Sequence, residues 1–150
     1  MISIQNNVND IDITNLNLKE KIEKILNFLN YKDYDIGLLL TNNSKIQDLN
    51  KKYRDKDKPT DILSFPYHTE LKAGDRIEVF EEEDKNLGDM IISLEYVVED
   101  AKKLNTTFHE RMDVLLVHGI CHLLGYDHII DEDYIVMNTK EKEILKHLNS

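Results

Sequence analysis

A single cysteine, Cys121, excludes an internal disulfide, and that usage fits a chain kept in a reducing cytoplasm. No stretch approaches the ~20 consecutive apolar residues that a bilayer span requires, so no membrane partner is expected. The opening Met1-Ile-Ser-Ile-Gln-Asn-Asn has neither a basic head nor an apolar run, and a secretory signal is not expected there. Internal repeats and low-complexity tracts are absent too. With 150 residues, 41% hydrophobic and 32% charged, residues 1–150 are expected to form one soluble domain around one core.

Positive charge is also scarce, at a formal net charge of −10. That balance is awkward for any partner made of phosphates, because proteins that grip such backbones usually carry a basic footprint. The deficit is uneven, however. From Lys45 to Lys58 stand six basic residues (Lys45, Lys51, Lys52, Arg54, Lys56, Lys58) against three acids. From Glu78 to Asp84 there are five acids and no base. The basic strip is either a solvated helix face or a contact for RNA, and charge alone does not choose.

Against these absences stands one dense constellation: His118-Gly-Ile-Cys-His122-Leu-Leu-Gly125-Tyr-Asp-His128. On a helix, residues four apart lie one turn above each other, so His118 and His122 aim two imidazoles at one point. Gly125 is a natural helix stop, since glycine accepts the left-handed conformation at a C-terminus. The chain then turns back and His128 can supply a third ligand. Three nitrogens leave a tetrahedral zinc one position short, the arrangement of catalytic rather than structural sites.

The same spacing occurs in the metalloprotease signature H-E-x-x-H-x-x-G-x-x-H. The departure from it is informative: Gly119 stands where those proteases carry the glutamate that activates the metal-bound water. The zinc scaffold is present and the peptidase base is missing. Cys121 lies about 60° from His118 and about 100° from His122 on the helical wheel, which turns it away from their shared face toward a buried, apolar role. Asp127 is either an orienting partner for an imidazole or a turn residue. Tyr126 is expected to pack against the metal helix rather than stack on a base. His68, His109 and His147 lack partner spacing and read as surface or loop residues.

Alternation at Ile2 and Ile4 predicts a strand, and Ile22, Ile25, Leu26 and Leu29 mark a helix over about 18–30. A buried strand is expected at 36–41. A helix over about 44–54 should turn Ile46, Leu49 and Tyr53 inward. Pro59 ends it. Residues 61–65 read as a strand, 67–85 as a mobile loop or hairpin excursion, and 87–93 as another strand. Ser93 caps a helix over about 94–104. Thr107 with Glu110 forms a capping box for the metal helix, which runs to about Leu124. A final helix starts near Asp131, with Met137, Glu141, Ile144, Leu145 and Leu148 along one side. Strands early and helices late predict an α+β fold: a small mixed β-sheet backed by helices, with a zincin-like metal helix.

Four segments match one family in order and spacing: Asn50-Lys-Lys-Tyr-Arg54, Asp57-Lys-Pro-Thr-Asp-Ile-Leu-Ser-Phe-Pro66, Leu87-Gly-Asp-Met90, and Val117 to His128. The chain resembles the bacterial YbeY endoribonucleases over nearly its whole length. That resemblance implies a zinc-dependent hydrolase of single-stranded RNA. It implies roles in maturation of the 3′ end of small-subunit rRNA and in ribosome quality control, with the small ribosomal subunit and assembly factors as partners. His118, His122 and His128 fall on the family's metal ligands, and Arg54 on its arginine associated with activity. Ser64 and Asp89 lie in the matching segments without an assigned role. Cys121 departs from the bulky aliphatic usual at its position.

The chemistry these residues suggest is a metal ion that polarises a phosphoryl oxygen and a guanidinium, Arg54, that clamps the developing charge bidentately. The Arg54 role requires the second helix to end near the metal. The nucleophile, a metal-activated water or a substrate 2′-hydroxyl, stays open. Two other classes compete: a zinc peptidase or other hydrolase, which Gly119 counts against, and a ribosome-associated factor whose metal is mainly structural.

Overall fold

A computed structural model describes all 150 residues. Four strands, β1 (Ile2–Asn6), β2 (Asp35–Thr41), β3 (Ile62–Pro66) and β4 (Asn86–Ser93), form one sheet in the order β1-β2-β4-β3. The β1–β2 and β2–β4 pairs are parallel, and β3 runs antiparallel to β4 at the sheet edge. The helices are α1 (Leu18–Phe28), α2 (Asn43–Arg54), α3 (Leu94–Lys103), α4 (Phe108–Leu123) and α5 (Asp131–Leu148). The expected mixed sheet backed by helices is what forms.

Helix α4 sits at the centre because its sequence is apolar nearly all round. Met112, Leu115, Leu116, Val117, Gly119, Ile120, Cys121 and Leu123 are all buried, the signature of a helix surrounded by other elements. It packs on the sheet through β3 and β4, with α3 and α5 alongside. Its start is held by the expected capping box, in which the Glu110 amide donates to Thr107 Oγ1 at 3.1 Å and the Thr107 amide to the Glu110 carboxylate at 3.4 Å. Ser93 caps α3 by accepting from the Tyr96 amide.

Gly119 lies hard against the sheet. A Cβ there would stand 2.5 Å from Met90 Sδ and 2.7 Å from Ile62 Cδ1, both closer than atoms can pack. Position 119 therefore faces the sheet and not solvent.

Two expectations are corrected. Tyr53 does not point inward: it is exposed, and its ring meets Phe65 edge-on with centroids 5.2 Å apart. The inward polar residue of α2 is Asn50, whose Nδ2 donates to the Lys58 carbonyl at 2.9 Å. Asn50 thereby fastens the 55–60 loop back onto the helix that precedes it. Residues 67–85 form neither a hairpin nor a free excursion. Their one regular feature is a 3-10 turn at Glu82–Asp84. Ile77 is buried, and the Arg76 guanidinium lies 4.3 Å above the Tyr31 ring while donating to the Leu29 carbonyl.

Candidate metal centre

The C-terminus of α4 builds the site. Helix α4 closes in a Schellman motif: the Gly125 amide donates to the His122 carbonyl and the Tyr126 amide to the Cys121 carbonyl, both at 3.1 Å. Gly125 adopts φ +93°, and a Cβ on it would meet the Leu71 carbonyl oxygen at 2.6 Å. Only glycine suits that turn. The reversal carries His128 back to the two helical histidines, so that ring nitrogens of His118, His122 and His128 all lie within 4.8 Å of one another.

The protonation pattern follows from the partners. His118 Nδ1 lies 2.8 Å from Glu141 Oε2 of α5. A carboxylate only accepts, so Nδ1 carries the proton and His118 Nε2 presents a lone pair. That Nε2 stands 3.1 Å from His122 Nε2. Burial above all, with the neighbouring His118 and His128 second, pushes the His122 pKa down to about 4, which keeps its ring neutral. Two nitrogens on a tetrahedral ion at ~2.05 Å would be separated by about 3.3 Å. The His118–His122 spacing and the neutral His122 ring fit a divalent metal of the nitrogen-ligand class, zinc among them.

Cys121 is fully buried and is no part of this cluster. Burial pushes its thiol up to about 12, so it is a core residue. Asp127 takes the turn role: its Oδ1 accepts from the Ile129 amide at 3.4 Å. The imidazole-orienting carboxylate is Glu141 instead. Sequence reasoning missed it, although a lone acid within the stripe Met137, Ile144, Leu145, Leu148 was a usable signal. Tyr126 is half-buried and packs against the core, as expected. His109 is exposed. His68 Nε2 contacts the Asp84 carbonyl oxygen, and His147 stacks on Phe28 at 4.3 Å. All three lie away from the cluster.

The three histidines open on a cleft of about 900 Å³. It is lined by the end of α2 through Tyr53 and Arg54, by β3 from Ile62 to Pro66, and by Ile129, Tyr134 and Glu141. Arg54, the last residue of α2, lines the same cleft as the histidines. It is exposed and takes part in no ion pair or side-chain hydrogen bond. Ser64 lines the cleft with an Oγ that has no hydrogen-bond partner, whereas Asp89 borders a separate groove beside Gly37. Arg111 of α4 is the brace: Nε donates to Asp100 of α3 at 2.9 Å and an Nη to Asp61 at 3.2 Å, just before β3. This pairing ties the α2–β3 loop to the metal helix, with both partners mostly buried, where ion pairs are screened least.

Comparison with known proteins now decides the family. The family model described as Endoribonuclease YbeY matches residues 3–149. The chain belongs to the endoribonuclease YbeY family. A human protein named Endoribonuclease YbeY is 38% identical over 138 residues, covering 92% of this chain and 82% of its own length. The Persephonella marina protein of that name is 39% identical over 150 residues, covering 99% and 93%. The counterpart from Fusobacterium nucleatum reaches 43% identity over 87% of this chain and 79% of its own. A solution structure of a Thermotoga maritima protein superposes with a TM-score of 0.66 at 30% identity, covering 99% of this chain and 89% of that one. Membership of this family agrees with the resemblance carried by the four matching segments and with the mixed sheet and central helix.

Proposed function

We propose that this endoribonuclease is zinc-dependent and cuts single-stranded RNA, with His118, His122 and His128 as metal ligands and Arg54 as the catalytic phosphate clamp. The observation that carries the reading is the union of three converging imidazoles and one unpaired guanidinium in a single cleft. A bound zinc ion would supply Lewis-acid polarisation of the scissile phosphate and lower the pKa of a coordinated water. Glu141 holds the His118 ring in the tautomer whose Nε2 faces the cluster. Arg54 reaches the cleft with all its donors free, so it can grip two phosphate oxygens as charge accumulates on them. Arg111 and Asn50 keep the α2 end and the α2–β3 loop in register with α4. Residues 1–150 act as one metallohydrolase domain. Family membership supports a role in maturing the 3′ end of small-subunit rRNA and in ribosome quality control, among assembly factors in the cytoplasm.

One observation favours a peptidase: β3 is an edge strand along the cleft, the type of edge on which extended peptides pair. Position 119 weighs more heavily against it. A glutamate there would have to enter the packed contact with Met90 and Ile62 rather than reach the cleft.

The deciding experiment is cleavage of labelled single-stranded RNA by wild type, His118→Ala and Arg54→Ala, with metal content measured for each. Loss of cutting in both variants, with metal lost only from His118→Ala, supports the two roles. Equal cutting by all three identifies a contaminating nuclease and leaves an assembly factor whose metal is structural.

A further inference from the structure

The elements that line the cleft differ in a way the ligand set does not require. At the end of α2 the exposed Arg54 lines the cleft, and next to it in the chain Lys51, Lys52, Lys56 and Lys58 are exposed alongside Asp55 and Asp57; of these bases only Lys51 is ion-paired, at 3.9 Å to Asp57. The start of α5, beside the cleft residues Ile129 and Tyr134, is acidic and apolar. Asp131, Glu132 and Asp133 occupy the first turn of α5, where the helix dipole favours them, and none is paired with a base. The dipole does not account for the apolar residues before and after those acids. Ile129 is 85% exposed and Tyr134 56% exposed, and both line the cleft that holds the histidines. Exposed side chains of that size beside a functional cleft mark a contact surface.

A single RNA strand has the matching asymmetry. Its phosphates are repelled by the α5 acids and attracted to α2, while its bases offer apolar faces that stack on aromatic rings. We infer that a nucleobase adjoining the scissile phosphate stacks on Tyr134 beside Ile129, with the sugar–phosphate backbone lying along α2 at Arg54. The α5 rim is thus the side that admits a splayed, unpaired base, and it makes the enzyme selective for single strands. This inference rests on the ribonuclease reading above.

The test is steady-state cleavage by wild type, Tyr134→Phe and Tyr134→Ala. The substrates are one single-stranded oligoribonucleotide and a series carrying one abasic nucleotide at each position around the cut. Stacking on one aromatic ring predicts a rise in KM of about five- to hundredfold for Tyr134→Ala, larger than its effect on kcat. Tyr134→Phe should retain most of the wild-type KM. At one abasic position the wild type should lose as much as Tyr134→Ala loses on intact RNA, and the variant should lose nothing more there. That coincidence would not arise from a loosened fold. A wild type that cleaves while Tyr134→Ala matches its KM on every substrate overturns this inference alone and leaves the α5 patch to a protein partner. A wild type that cleaves no RNA overturns the ribonuclease reading and this inference together.

Discussion

Removing the Glu141 carboxylate should weaken metal binding without unfolding the protein. The carboxylate lies 2.8 Å from His118 Nδ1, with the two side chains 17% and 25% exposed, so the contact is partly shielded from water. It does two things: it fixes the tautomer that turns a lone pair toward the cluster, and its charge raises the basicity of the ring when a cation binds. Partners of this kind are typically worth about 10- to 100-fold in metal affinity, or about 1.4–2.7 kcal/mol. Glu141→Gln keeps an acceptor oxygen in reach but loses the charge, and is expected near tenfold. Glu141→Ala loses both and frees the ring to rotate, and is expected near a hundredfold. Affinity is best read by competition with a chromogenic zinc chelator at fixed pH and salt, beside thermal melts of the metal-free proteins. The metal-free melts should shift little, because the substitution leaves no unpaired buried charge behind. If Glu141→Ala binds zinc as tightly as wild type while His118→Ala loses it, the carboxylate orients nothing and the tautomer argument is wrong.

Other outcomes follow from the same geometry. Arg54→Lys should keep its metal yet recover little of the ~10²–10³-fold rate loss expected of Arg54→Ala, since an ammonium cannot match a bidentate fork; a near-wild-type rate would reduce Arg54 to a generic positive charge. The metal-free protein should lose stability as pH falls from about 6.5 toward 4. In that window an unfolded His122 takes up a proton that the folded ring, held down to about 4, refuses. The check is the difference in Tm between wild type and His122→Gln across the window, which should shrink toward low pH and would stay flat if burial of the ring were unimportant. Gly119→Ala should destabilise by about 1–3 kcal/mol through overpacking against Met90 and Ile62, measurable by urea unfolding; a neutral result would mean that α4 shifts freely on the sheet.

The elements were largely legible because each carries a local cause. Thr107 and Glu110 cap α4, Ser93 caps α3, and the stripe Ile22, Ile25, Leu26 defines α1, all within a few residues of sequence. Legibility failed where a distant partner decides. Tyr53 sits at a helical spacing that suits a core, yet the position is taken up by the cleft, and its ring leans on Phe65, twelve residues away. Residues 67–85 look like a free polar excursion, but Ile77, Arg76 and their contacts with Tyr31 and Leu29 hold the segment down.

The candidate site divides along the same line. His118, His122 and His128 could be grouped from sequence because helical repeat and a glycine turn relate them locally, and the wheel correctly removed Cys121. Glu141 and Arg111 could not, because 23 residues separate Glu141 from its histidine and 50 separate Arg111 from Asp61. Gly119 shows how the two kinds of information combine. From sequence it is an absence, a missing glutamate that argues against a peptidase. In the fold it is a requirement, since a side chain at the first residue after His118 would collide with Met90 and Ile62 of the sheet. A helix pressed this closely onto β3 and β4 brings its histidines to the cleft but leaves no room for a side-chain base at position 119. Position 119 therefore offers no base, and Glu141, the carboxylate in contact with the histidine cluster, is already engaged with His118 Nδ1.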